Sequence, residues 1–203
     1  MRLLYVTDRA AIGPARFARI LDALSDAPGL LVQLREKGET DRGLADLVTS
    51  VRAKLGRRVP LFVNRRFDIA LSAGADGVHL PADGLPVSRV RGTSPRGFRV
   101  GASTHSAAEA VRAIEEGADL IVLGPVFETP SKRAFGPPLG PEALAALPRR
   151  DAGGADVFVI GGIDEPRISE LAPFADRISG VAGIRLVQEA GDPRAVLERI
   201  AAA

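Results

Sequence analysis

The residues able to do chemistry gather where apolar runs end. Leu120–Leu123 reads as a buried strand and leads into Gly124-Pro125-Val126-Phe127-Glu128-Thr129-Pro130-Ser131-Lys132. Thr129, Ser131 and Lys132 put two hydroxyl donors and one cation at the junction of strand and loop, the set that a phosphate or diphosphate oxygen needs. A second set lies in Gln33-Leu34-Arg35-Glu36-Lys37, where period-two alternation sends Gln33, Arg35 and Lys37 to one side of a strand. Two further runs end in glycine, at Gly161-Gly162 and at Gly183, where backbone amides can approach a phosphate closely. Asn64-Arg65, His79 and Ser103 close three more. Near these positions the only acids are Asp8, Glu36, Asp83 and Glu128. A set rich in donors and cations suits an anionic ligand, and does not suit a hydrolase built on paired carboxylates.

These residues need a scaffold that brings many strand ends together. Strand-like runs fall at Leu3–Thr7, Leu30–Leu34, Pro60–Val63, Gly77–Leu80, Arg99–Ala102, Leu120–Leu123, Val157–Ile160 and Gly180–Ile184. Helical spacing marks Pro14–Leu24, Leu44–Leu55, Phe67–Ala73, Val87–Ser94, Ala107–Ile114, Pro141–Leu147, Pro166–Phe174 and Pro193–Ile200, with Val87–Ser94 the weakest. Continuous apolar strands alternating with amphipathic helices predict a parallel sheet covered by helices. Eight such units in 203 residues predict an α/β fold, one (β/α)8 barrel domain over 1–203, whose site lies at the C-terminal strand ends. Gly-Ala-Asp recurs at 74–76, 117–119 and 154–156, each time before a strand, and reads as punctuation of the repeated unit.

Composition narrows the function classes. The 27 basic and 25 acidic residues are interspersed and leave a net charge of +2, so no nucleic-acid partner is expected. There is no cysteine, which excludes disulfides and thiolate chemistry, and two histidines cannot alone build a usual zinc site. No apolar run approaches a membrane span, and the first residues are too short for a signal-peptide core. A cytoplasmic protein without a membrane partner is the expectation. A homodimer is compatible with a barrel of this size.

Taken in order, the motifs resemble the thiamin phosphate synthase/TenI family over nearly the whole chain. The resemblance rests on Leu4-Tyr5-Val6-Thr7-Asp8, Gln33-Leu34-Arg35-Glu36-Lys37, Asn64, Gly74-Ala75-Asp76-Gly77-Val78-His79-Leu80 and Gly101-Ala102-Ser103-Thr104-His105. Gly124-Pro125-Val126-Phe127 with Thr129–Lys132, Pro138-Leu139-Gly140 and Ile160-Gly161-Gly162-Ile163 complete it. It implies a barrel acting on phosphorylated thiamin precursors. The synthase joins hydroxymethylpyrimidine diphosphate to a thiazole phosphate and releases diphosphate. By resemblance, Gln33, Arg35 and Lys37 would hold the pyrimidine and its diphosphate, with Asn64, His79, Ser103 and Lys132 on the same side. Thr129 and Ser131, with the Gly161, Gly162 and Gly183 backbones, would take the thiazole phosphate.

The chain departs from the synthase pattern at two magnesium carboxylates. Arg65 stands where the pattern has Asp after Asn, and Gly84 stands at the second position, with Asp83 one residue early. No metal ligand is therefore assigned, Asp83 being the nearest candidate, and magnesium is implied only where synthase activity is retained. Arg65 is a candidate to neutralise a diphosphate itself. Losing both carboxylates resembles the TenI branch, some members of which aromatise a thiazole phosphate carboxylate by proton transfer. On sequence this tautomerase-type reading is favoured, with Lys132, His79, Glu128 and Ser103 as catalytic candidates. The histidine that the tautomerase pattern places after the sixth-strand glycine is Pro125 here, so the base would be His79, Glu128 or His105. The alternatives are a thiamin phosphate synthase with an altered metal site and a non-catalytic binder of thiamin phosphates.

Overall fold

The computed structural model describes residues 1–129, 137–150 and 154–203. Eight strands, β1 (Arg2–Val6), β2 (Leu30–Leu34), β3 (Leu61–Asn64), β4 (Gly77–Leu80), β5 (Arg99–Thr104), β6 (Leu120–Leu123), β7 (Asp156–Val159) and β8 (Gly180–Gly183), pair in sequence order. All pairings are parallel, and β8 returns to β1 to close a barrel. The helices α1 (Arg9–Leu24), α2 (Asp41–Leu55), α3 (Phe67–Ser72), α4 (Val87–Arg91), α5 (Ala107–Glu115), α6 (Glu165–Glu170), α7 (Arg185–Gln188) and α8 (Pro193–Ala202) lie between strands or after the last. This is the expected (β/α)8 barrel.

Strand parity divides the core in two. Leu4, Val6, Leu31, Phe62, Leu120, Val122, Phe158 and Ala182 fill the barrel interior. Their outward neighbours, among them Leu3, Tyr5, Val32, Leu61, Ile121 and Val157, pack beneath the helices. Because the side-chain period is two, the next inward position on β2 is Gln33 and on β3 Asn64, and β4 and β5 turn His79 and Ser103 the same way. The interior is thus apolar below and polar at the C-terminal end.

The Gly-Ala-Asp repeats hold the opposite end. Gly74 and Gly117 have φ of 79° and 95°, the left-handed conformation that ends a helix. Asp76 accepts from the Leu61 amide at 2.7 Å and Asp119 from the Val100 amide at 2.7 Å, each also bonding an arginine, Arg52 and Arg91. Asp156 instead accepts from Ser179 Oγ at 2.9 Å and pairs with Arg2 at 2.8 Å. Asp76 and Asp119 each satisfy a backbone amide near the start of a neighbouring strand.

Three helical expectations need correction. Pro141–Ala146 is a 3-10 segment, and Pro166–Phe174 is divided into α6 and a 3-10 turn at Ala172–Phe174. Pro173 has no amide to continue the ladder there. α1 begins at Arg9, capped by Asp8, which accepts from the Ala11 amide, and it is interrupted at Gly13 with φ 75°. Among the described residues no helix is long and apolar enough to cross a membrane.

Candidate functional site

The floor of the polar end is made of neutral side chains bonded in pairs. Gln33, 4 % exposed, donates from Nε2 to Asn64 Oδ1 at 3.2 Å. His79, 1 % exposed, has Nε2 hydrogen-bonded to Ser103 Oγ at 2.8 Å, whereas no protein group pairs with its Nδ1. Gly101 makes room for that ring, since a Cβ there would approach His79 Nδ1 to 2.7 Å. Among the described residues the buried polar side chains are Thr7, Gln33, His79, Thr104, Thr129, Ser179 and Gln188, and no carboxylate is buried with them.

Burial, followed by the charge of Arg35, pushes the His79 pKa down to about 3. An unfolded histidine titrates near 6.5. Below that pH the unfolded chain takes up a proton that the folded chain refuses. The stability carried by neutral His79 is therefore complete above about pH 6.5 and falls as the pH drops toward 3, by up to about 1.4 kcal/mol per unit. Urea midpoints should fall between pH 7 and pH 5, and His79→Gln should flatten the change. An equal slope in both proteins would contradict the assignment.

The cations stand at the rim. Arg35 follows the end of β2, is half-buried and donates its amide to Thr7 Oγ1 at 3.1 Å. Thr7 in turn donates to Glu36, whose other oxygen accepts from the Arg9 amide at 2.9 Å, so the loops after β1 and β2 are locked together. Lys37 departs from the expected alternation, because β2 stops at Leu34 and Lys37 sits exposed in a turn. On the other side, β6 and β7 continue past their ends, with Val126 and Phe127 donating to the Ile160 and Gly161 carbonyls at 2.9 and 3.1 Å. Gly161 and Gly162 have φ of 101° and 64°, and a Cβ at Gly161 would come within 2.6 Å of Pro125. Close approach of the two loops accounts for both glycines without a ligand. Arg167 ties the same loops, bonding the Gly162 carbonyl and lying 5.2 Å over the Phe127 ring.

Thr129 is buried and lies 3.5 Å from Arg185 Nη2, just past Gly183. Glu128 is exposed. Ser131 and Lys132 lie outside the described residues. Arg185 stands two residues beyond the glycine that ends β8, a strand-end position where the sequence also predicts a polar residue of the barrel mouth.

The third and fourth loops carry an ion pair. Arg65 donates from Nη2 to Asp83 at 2.5 Å, with both side chains largely exposed. That bond holds the Asp83 carboxyl below the usual carboxylate range. Arg65 has φ 67°, a left-handed backbone that a residue with a Cβ occupies under strain. Arg65→Gly should therefore leave the fold intact and raise Tm by roughly 1–3 °C; a fall of several degrees would mean that the ion pair outweighs the strain. A side chain at Gly84 would press on the Pro81 carbonyl, 2.9 Å from its Cβ. Among the described residues no group of three or more His, Cys, Asp or Glu side chains could hold a metal ion. With Asp83 as the single carboxylate of these two loops and a guanidinium beside it, the residues here do not fit a protein-held magnesium, which needs several oxygen ligands.

Comparison with known proteins gives a consistent picture. The thiamine monophosphate synthase family model matches residues 3–187. A thiamine-phosphate synthase of Methanoculleus marisnigri is 41% identical over 98% of this chain and 96% of its own length. A putative thiamine-phosphate synthase of Geobacter sulfurreducens is 38% identical over 95% of this chain and 89% of its own. Among solved structures, thiamine phosphate pyrophosphorylase from Pyrococcus furiosus superposes with a TM-score of 0.79 at 26% identity, covering 99% of this chain and 94% of that one.

Proposed function

The chain belongs to the thiamine monophosphate synthase family, and we propose that its reaction is the coupling of hydroxymethylpyrimidine diphosphate to a thiazole phosphate, giving thiamin phosphate and diphosphate. The observation that carries this reading is a polar interior of neutral, hydrogen-bonded side chains with no buried carboxylate among the described residues. In the coupling, the bond between the pyrimidine methylene and the diphosphate oxygen breaks, and its electron pair leaves with the diphosphate. The lone pair of the thiazole nitrogen then forms the new C–N bond. No proton is removed from either reactant, so the site needs no general base. What it needs is stabilisation of charge on the leaving group, together with water exclusion.

The chain's own groups suit those needs. Gln33 and Asn64, with the Ser103 hydroxyl, offer donors and acceptors to the edge of an aminopyrimidine. Arg35, Lys37, Arg65 and Lys132 are assigned to the departing diphosphate. Thr129, Ser131 and Arg185 are assigned to the thiazole phosphate, with the Gly161, Gly162 and Gly183 backbones beside it.

The tautomerase-type reading is less well supported by the same residues. A base for carbon acids works best with a pKa near the working pH. His79, with a pKa of about 3, is a poor proton acceptor, and Glu128 and His105 are exposed. The two readings separate when the protein is given a thiazole phosphate carboxylate alone in D2O. Coupling chemistry predicts no isomerisation and no deuterium in the ring, and thiamin phosphate only once thiazole phosphate and pyrimidine diphosphate are supplied together. Isomerisation without any thiamin phosphate would replace the proposal with proton transfer.

A further inference from the structure

Arg65 is the most unusual residue of the rim. Arg65 and Asp26 are the non-glycine residues with positive φ among those described. Neither glycine nor asparagine stands at 65 to relieve the strain. The conformation is fixed by neighbours on both sides: the Arg65 amide donates to the His79 carbonyl at 2.9 Å, and its own carbonyl accepts from the Phe67 amide at 3.0 Å. A strained backbone held in this way at the mouth of a site points to a function for the side chain that it carries. Asn64, one residue earlier, is bonded to Gln33 on the floor, so the guanidinium is rooted next to the polar interior.

The partner of that guanidinium is replaceable. Asp83 is 75 % exposed and Arg65 is 53 % exposed, and an ion pair so open to water is weak. A diphosphate offers several oxygens and more charge than one carboxylate, in a geometry that the guanidinium fork can meet with two bonds. We propose that Arg65 exchanges Asp83 for the diphosphate, and so supplies as a fixed side-chain cation the charge that would otherwise come from a divalent metal. Asp83 keeps the guanidinium at the rim while the site is empty. The inference rests on the coupling reading, which supplies the diphosphate.

The test is calorimetric titration of inorganic diphosphate into the full chain in excess EDTA. Wild type should bind, and Arg65→Gly, which suits the left-handed backbone, should bind about 10- to 100-fold more weakly. Arg65→Lys should fall between them, because an ammonium keeps the charge and loses the fork. Asp83→Asn should bind about threefold more tightly, since a competing carboxylate is gone. Equal affinity in wild type and Arg65→Gly, or binding that appears only after magnesium is added, would overturn the proposal. Assaying thiamin phosphate with the same preparations keeps the two readings apart. Diphosphate binding that depends on Arg65, without any coupling by wild type, would strike down the proposed reaction and leave this site standing.

Discussion

Arg35→Met is expected to lower kcat/KM for thiamin phosphate formation by about 10²- to 10³-fold, the usual cost of removing one preorganised group from a developing charge. Methionine keeps most of the side-chain length and removes only the cation. Arg35 is set just past β2 by its amide bond to Thr7 Oγ1, and its charge reaches His79. Diphosphate gains negative charge as the C–O bond breaks, so the loss should fall mainly on kcat, with a smaller rise in KM. Arg35→Lys should recover part of the rate. A change under fivefold in Arg35→Met, with the protein folded, would remove Arg35 from the diphosphate site.

The second large effect is structural. Gly180→Ala is expected to lower Tm by roughly 10 °C or more, or to prevent folding. Gly180 opens β8, where it pairs with Arg2 on one side and Phe158 on the other. A Cβ at this position would overlap the Arg2 backbone, carbonyl included, and backbone inside a closed barrel cannot swing aside as a side-chain tip can. The clash falls on the β8–β1 seam that closes the sheet. Gly191→Ala is the matched control, because nothing lies within 4 Å of its Cβ position. Melting curves of the two variants beside wild type check this. A Gly180→Ala protein melting within about 3 °C of wild type would show that the seam can open without cost.

Much of this architecture is legible in the sequence because a parallel barrel writes its strands as short continuous apolar runs. β2, β4 and β6 begin and end where those runs do, with glycine, proline or aspartate at their borders. Short helical pieces are less legible. Over the six residues of Pro141–Ala146, apolar spacings of 3.0 and 3.6 per turn cannot be told apart, and the four residues of α7 carry no periodicity at all. The floor positions follow from strand parity, which is why Gln33, Asn64, His79 and Ser103 come together as neighbours. Parity fails for Lys37 because β2 ends three residues earlier. The Arg65–Asp83 pair spans 18 residues and two loops, and no local pattern encodes it. The depth of His79, and with it the weak basicity that argues against proton transfer, is likewise a property of the closed barrel.

On this reading the chain makes thiamin phosphate on its own cations. The direct measurement is product formation from hydroxymethylpyrimidine diphosphate and thiazole phosphate, followed by mass spectrometry with excess EDTA and again with magnesium. Thiamin phosphate and diphosphate should form in equal amounts in both conditions, with the EDTA rate within about tenfold of the other. Thiamin phosphate formed only with magnesium, or absent from both conditions with protein that still melts cooperatively, would contradict it.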